Sequence, residues 1–111
     1  MRNNKAVKQF CVELATLQGE IALYPKGFSE YLFELSYPRY RKDLEAIRPG
    51  LEDLGLYEIV LEALSQSETL ARSGKFDEAE DLVLEANRKL TDASGHSDDL
   101  RRMYKASTDE S

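Results

Sequence analysis

Apolar residues recur at helical spacing along most of the chain, and the clearest case is its first predicted helix. This helix should begin near Asn3 or Asn4, each a favourable N-cap, and run to about Tyr24. Residues three and four apart lie on one helix face, so a continuous apolar stripe predicts a buried side. The stripe consists of Val7, Phe10, Cys11, Leu14, Leu17 and Ile21.

A second, narrower apolar stripe lies elsewhere around the same helix. Its members are Val12, Ala15, Gly19 and Leu23. At about 100° per residue these four fall within roughly 80° of one another, away from the first stripe. We expect both sides of the helix to be buried, the second against either the rest of the domain or another chain. Because Ala15 and Gly19 are small and four apart, a second backbone could approach closely there, as in a homodimer.

The least regular part of the chain runs from Tyr24 to Gly50. We expect a turn at Pro25-Lys26-Gly27 and a short helix over 29–36, capped by Ser29, with Tyr31, Leu32 and Leu35 directed inward. Tyr37-Pro38 should break this helix, because the residue before proline avoids the helical region. Another helix should run from Pro38 to about residue 48 and end at Pro49-Gly50.

The C-terminal half reads as a helical hairpin. After a turn of helix over 51–55, the pattern predicts helices over about 56–73 and 75–90, with Gly74 as the C-cap between them. The predicted inner face of the first helix is Leu56, Ile59, Val60, Ala63, Leu64, Ser67, Leu70 and Ala71, and that of the second is Phe76, Ala79, Leu82, Val83, Ala86 and Leu90. A loop over 92–95 and a short helix over 97–106, capped by Ser97, follow.

Together these elements predict an all-α fold. We expect a single-domain bundle of four to five helices over residues 1–106, with the hairpin in its C-terminal half. The polar residues 107–111 are expected to form a flexible tail.

Residues 60–91 resemble a single tetratricopeptide-type helical hairpin. The resemblance is carried by Gly74-Lys75-Phe76-Asp77-Glu78-Ala79 and by Ala86. Gly74 stands at the turn, and the two alanines stand where small residues let the helices close. Gln66 departs from the pattern, which has a large apolar residue there. We find no second copy, whereas a solenoid needs at least three repeats. The resemblance implies an antiparallel hairpin and suggests binding to other proteins.

Charge is unevenly distributed in this acidic chain of net charge −6. Residues 1–48 hold eight Lys/Arg and six Asp/Glu, whereas residues 49–111 hold seven and fifteen. The acidic half argues against nucleic-acid binding, which needs clustered cations. It leaves open an acidic decoy or immunity-type protein that blocks a basic, nucleic-acid-binding surface. We expect no signal peptide, no membrane span and a cytoplasmic location.

No set of residues typical of an enzyme is evident. A lone His96 makes a poor metal site, and Cys11 lies on the buried stripe, where cysteine acts as a small hydrophobe. The carboxylates of 77–85, with Glu58 and Glu62, suggest an alternative: a magnesium-dependent all-α nucleotide hydrolase. They lie largely opposite the predicted inner stripe. We therefore expect no enzyme, cofactor, metal or small-molecule substrate.

Six of the ten aromatic residues fall between Tyr24 and Tyr40, beside several cations. Aromatic residues and arginine are enriched at protein interfaces, although such residues can equally complete a core or stack on single-stranded nucleic acid. We expect a regulator, such as a small inhibitor or anti-activator that sequesters a larger protein by occluding its interaction surface. The candidate binding residues are Val12, Ala15, Gly19, Leu23, Tyr24, Phe28, Tyr31, Phe33, Tyr37, Arg39, Tyr40 and Arg41.

Overall fold

Residues 5–94 of the protein form five α-helices, one 3₁₀ turn and one π-helical turn. The fold is that of a computed structural model, which describes residues 5–96 and 100–103. The elements are α1 (Lys5–Leu23), a 3₁₀ turn (Tyr24–Lys26), a π-helical turn (Leu32–Ser36), α2 (Tyr37–Ala46), α3 (Arg48–Asp53), α4 (Tyr57–Arg72) and α5 (Phe76–Ser94). The predicted all-α single domain with a C-terminal hairpin is confirmed.

Parts of the predicted termini fall outside the described residues. These are the caps Asn3 and Asn4, the cap Ser97, residues 98–99 and 104–106 of the last predicted helix, and the tail 107–111. Residues 100–103 of that helix are helical.

Helix α5 is the central element, because it packs against both α1 and α4. Three residues connect α4 to α5, so these two helices run antiparallel. Helix α1 is antiparallel to α5 as well: Cys11 lies next to Ser94 at one end, and the Tyr24 ring lies 5.6 Å from the Phe76 ring at the other. The buried stripe predicted for α1 is confirmed at all six positions.

Hydrogen bonds from hydroxyl groups connect α2 and the turn before it to α1 on one side and to α4 on the other. Glu20 of α1 accepts hydrogen bonds from Ser36 and from Tyr40, each at 2.6 Å. On the other side, the Tyr37 hydroxyl lies 2.8 Å from that of Ser67 on α4. Because buried polar groups are costly when unpaired, these contacts determine where α2 can sit.

The predicted break at Tyr37-Pro38 is absent. Tyr37 keeps helical angles, φ −60° and ψ −46°, and the π turn leads directly into α2. The N–H of Ser36 bonds to the carbonyl of Tyr31, five residues back, so this turn is wider than an α-helical one. We attribute the continuity to this width, since a proline ring ordinarily collides with the carbonyl four residues earlier.

The π turn also changes which side chains face inward. Leu32 and Phe33 are buried, whereas Tyr31 and Leu35 are exposed. The prediction that Tyr31 and Leu35 point inward is therefore wrong, because it assumed α-helical spacing. Ser29 does not cap a helix; it has a left-handed backbone, with φ +57°.

Pro49-Gly50 does not end a helix but lies in the first turn of α3. The preceding helix has already ended at Ala46, and proline is well tolerated at a helix start. A Cβ added at Gly50 would lie 3.0 Å from Cγ2 of Val7. The glycine thus permits α3 to sit close against α1.

The hairpin follows the predicted pattern with two corrections. Gly74, with φ +82°, ends α4 as expected, and its N–H bonds to the carbonyl of Ala71. Helix α5 continues to Ser94, which is buried, so residues 92–94 are not a loop. Ile59, predicted to face inward, is exposed, because the core contact of α4 is centred on Val60 and Leu64.

Candidate partner-binding surface

The twelve candidate binding residues do not form one surface. Seven of them are exposed, two are half-buried, and three are buried, namely Phe33, Tyr37 and Tyr40. The exposed ones are Val12, Ala15, Gly19, Leu23, Phe28, Tyr31 and Arg39, and the half-buried ones are Tyr24 and Arg41. Only the exposed ones can meet a partner without a rearrangement of the fold, so the candidate surface narrows to these.

The three buried aromatic residues belong to the core of the protein. The rings of Phe33 and Tyr37 stack with centroids 6.2 Å apart, and the Tyr24 ring meets Phe33 edge-on at 5.2 Å. Burial raises the pKa of Tyr37 to about 12, and burial together with the hydrogen bond to Glu20 raises that of Tyr40. These side chains hold the segment after α1 against the rest of the domain.

The two arginines of the candidate set have different surroundings. Arg41 is half-buried and forms an ion pair with Glu68, which also pairs with Arg72 at 2.8 Å. Partial burial favours a raised pKa for Glu68, but the hydrogen bonds from both arginines outweigh it and lower the pKa. Arg39 is exposed and lies 4.0 Å from Asp43. Arg41 therefore has a role inside the domain, whereas Arg39 remains accessible.

Four large apolar side chains next to the end of α1 are exposed, and we call them the bend surface. They are Leu23 (42% exposed), Phe28 (62%), Tyr31 (57%) and Leu35 (62%). The backbone of this bend is well defined: Phe28 donates its N–H to the carbonyl of Leu23, and Gly27 and Ser29 both have positive φ. A left-handed serine costs backbone energy that the surrounding contacts must offset.

A shallow depression adjoins the bend surface. It has a volume of about 320 Å³ and is lined by Tyr24, Gly27, Phe28 and Glu30. Its lining thus combines two aromatic rings with one carboxylate. Such a depression can accept an apolar side chain of a partner that also carries a cation.

The second stripe of α1 forms an outer face that this domain leaves uncovered. Val12, Ala15, Gly19 and Leu23 are all exposed, and a Cβ added at Gly19 would meet no atom within 4 Å. The expectation that α1 is buried on both sides is therefore not met within one chain. Leu23 belongs to both this outer face and the bend surface, so the two are continuous.

Sequence reasoning missed Leu35 as a member of the bend surface. The residue was expected to face inward, and only the wider spacing of the π turn directs it outward. The residue types in 32–36 do not predict a π turn, because leucine, phenylalanine and glutamate all occur in ordinary α-helices.

Cys11, His96 and the carboxylates are the groups from which catalytic or metal-binding chemistry would be expected. Cys11 is buried, and burial raises the pKa of its thiol, which disfavours the nucleophilic thiolate. His96 is half-buried, and its backbone N–H bonds to the Ser94 hydroxyl. Within residues 5–96 and 100–103, no three His, Cys, Asp or Glu side chains lie close enough together to share a metal ion.

The carboxyl groups of Glu13 and Asp43 interact, and the pKa of Glu13 is raised. Burial, followed by a hydrogen bond to Asp43 and the charge of that residue, raises the pKa of Glu13 to about 7 from an ordinary 4.5. Arg39 opposes this shift only in part. Because Glu13 is on α1 and Asp43 is on α2, the pair makes the contact between these helices sensitive to pH.

Comparison of the chain with protein-family models, with curated proteins and with solved structures gave no match in any of the three. No helix among the described residues has both the length and the apolar character needed to cross a bilayer.

Proposed function

We propose that the protein is a non-enzymatic binding protein that recognises another protein through the bend surface and the outer face of α1. The observation that carries the proposal is the exposure of Leu23, Phe28, Tyr31 and Leu35 within thirteen residues of one another. Single exposed apolar residues are ordinary, whereas a group of them marks an interaction site. By occluding the matching surface of its partner, the protein would act as a regulator or inhibitor.

The packing of the inner side of the bend supports this proposal. The exposed side chains project from a segment whose inner side chains, Phe33 and Tyr37, are buried and stacked on one another. The guanidinium group of Arg72 lies over the Phe33 ring, 4.6 Å from its centre. Side chains presented on such a fixed segment lose little conformational freedom on binding.

The experiment is affinity purification with matched variants. The tagged protein is used to capture partners from lysate of the cells that produce it, and the captured proteins are identified by mass spectrometry. Phe28→Ala or Tyr31→Ala should each weaken a stoichiometric complex by about 2 kcal/mol or more. Met103→Ala is the control, because Met103 is similarly exposed (66%) but lies near the other end of the sequence.

Two results would count against the proposal. One is the recovery of no stoichiometric partner under conditions in which the protein is folded and abundant. The other is a partner whose affinity is the same for Phe28→Ala, Tyr31→Ala and Met103→Ala. Light scattering on the purified protein distinguishes a foreign partner from a homodimer, since a homodimer would double the mass without any added protein.

An acidic decoy is the second candidate function. It is favoured by the charge of residues 49–111, which hold fifteen acidic and seven basic residues. Such a protein would bind a basic surface, and its complex should weaken steeply as salt is raised. A complex formed through the apolar bend surface should depend on salt much less.

A further inference from the structure

We propose that the groove between α4 and α5 binds a basic amphipathic helix of another protein. The groove has a volume of about 240 Å³. Its apolar lining consists of Ile59, Ala63, Leu82 and Ala86, and its polar lining consists of Glu62, Gln66, Glu85 and Lys89. The proposal uses none of the residues of the bend surface and does not depend on the function proposed above.

The apolar floor of the groove is only partly covered by the rest of the domain, since Ala63 and Leu82 are half-buried and Ala86 is buried. Ile59 is 39% exposed although its helix buries Val60 and Leu64 in the core. On α4, residues 59, 63 and 66 are spaced by three and four, so they follow one line along the helix. On α5, residues 82, 86 and 89 do the same. Two antiparallel helices with alanines at the seam form a groove into which a third helix can pack.

Charge selects the kind of helix that fits. Glu62 and Glu85 flank the floor, and Glu78 lies on the same line of α5, seven residues before Glu85. Lys89 is the opposing charge in the lining. Glu62 already accepts a hydrogen bond from Gln66, and Glu85 lies 3.4 Å from Arg88, but both of these contacts are exposed. Exposed ion pairs contribute little to stability, so these carboxylates can pair with a cation of a partner instead.

Length also favours a helix as the occupant. The lining runs over residues 59–66 of α4 and 82–89 of α5 and so is about 10 Å long, which two to three turns of a partner helix would cover. The acidic edges would repel an anionic lipid surface or a nucleic acid, so a membrane or RNA is a poorer fit. The occupant we infer carries leucine-like side chains on one face and Lys or Arg beside them.

The test uses two labelled helical peptides and the full chain. The first probe is an amphipathic peptide of about 14 residues made of Leu and Lys in helical spacing, and the second has Glu at each Lys position. Binding is followed by fluorescence anisotropy. We expect the Leu/Lys probe to bind, the Leu/Glu probe not to bind, and added salt to weaken the Leu/Lys complex.

Matched variants locate the binding. Ile59→Ala should weaken the Leu/Lys complex by about tenfold, and Glu62→Lys with Glu85→Lys should weaken it further. Leu84→Ala is the control, because Leu84 is also 39% exposed but is not part of the groove. All of these changes are at exposed or partly exposed positions, and circular dichroism verifies that each variant is folded.

Three results would overturn the inference. The first is equal binding of the two probes, and the second is an equal effect of Ile59→Ala and Leu84→Ala. The third is self-association of the protein that Ile59→Ala abolishes, since the occupant would then be a second copy of this chain.

Discussion

The hydroxyl groups of two tyrosines show how one residue type serves two roles in this protein. Tyr37 is fully buried and its hydroxyl is paired with Ser67, whereas Tyr31 is mostly exposed. Tyr37→Phe should destabilise the protein by about 1 kcal/mol, because the buried bond is lost. The loss stays modest, since Ser67 keeps its hydrogen bond to the carbonyl of Leu64. Urea denaturation followed by circular dichroism measures the change.

Tyr31→Phe is the matched control for that substitution. Its free energy of unfolding should equal that of the wild type, because the Tyr31 side chain is largely in solvent. If Tyr31→Phe were as destabilising as Tyr37→Phe, the assignment of Tyr31 to the surface would be wrong.

Glu13 should give the protein a distinct pH dependence. Its pKa is about 7 in the folded state and about 4.5 when unfolded, so the folded state binds the proton more tightly. The resulting stabilisation is fully present below pH 4.5 and is lost as the pH rises towards and through 7. The pKa of Glu68 is lowered, so its effect on stability has the opposite dependence: the stabilisation that it contributes is lost as the pH falls.

The measurement is the free energy of unfolding of the wild type and of Glu13→Gln between pH 4.5 and 8. Relative to the variant, the wild type should lose stability as the pH rises through this window. A difference between the two proteins that does not change with pH would show that Glu13 and Asp43 do not share a proton.

The buried residues of α1 could be predicted from the sequence, but which aromatic residues are buried and which are exposed could not. All six positions of the main α1 stripe are buried, because helical periodicity alone determines which side of a long helix faces the core. Tyr31 and Tyr37 have the same side chain, yet one is exposed and the other is buried. Which of them is buried depends on the π turn between them and on Ser67, thirty residues away.

Helix α3 illustrates packing between elements that a sequence pattern does not reveal. It approaches α1 through Gly50, where an added Cβ would lie 3.0 Å from a methyl group of Val7. Gly50→Ala should therefore destabilise the protein by about 1 kcal/mol, since Val7 is buried and has little room to move.

A double-mutant cycle tests this contact directly. In a Val7→Ala background the collision is removed, and Gly50→Ala should become neutral or stabilising, because alanine favours a helix over glycine. If Gly50→Ala had the same effect in both backgrounds, the two residues would not be in contact.

The hairpin and the bend differ in how far the sequence could predict them. The hairpin has a glycine at the one position where its turn needs positive φ, Gly74, and long helices of clear periodicity on either side. After the bend, a helix does begin around Pro38 as predicted, but the expected break before it is absent, and Pro49, predicted to end a helix, lies in the first turn of α3. A proline can start a helix as well as end one, and the choice depends on tertiary contacts.

At the scale of the whole molecule, the candidate binding surfaces lie on separate elements. The bend surface and the outer face of α1 are formed by residues between 12 and 35, whereas the groove is formed by α4 and α5. Tyr31→Ala should therefore leave binding of the Leu/Lys peptide unchanged, and Ile59→Ala should leave the complex formed through the bend unchanged. Anisotropy and affinity purification of these two variants would reveal any coupling between the sites.

Site-specific photo-cross-linking tests the central claim, that the bend surface is where another protein docks. The photoreactive amino acid benzoylphenylalanine is placed at position 28, 31 or 103 of the full chain in living cells, which are then irradiated. We predict one discrete adduct, of the same mass, from positions 28 and 31 and none from position 103. Absence of an adduct at positions 28 and 31, or equal labelling at all three, would contradict the account.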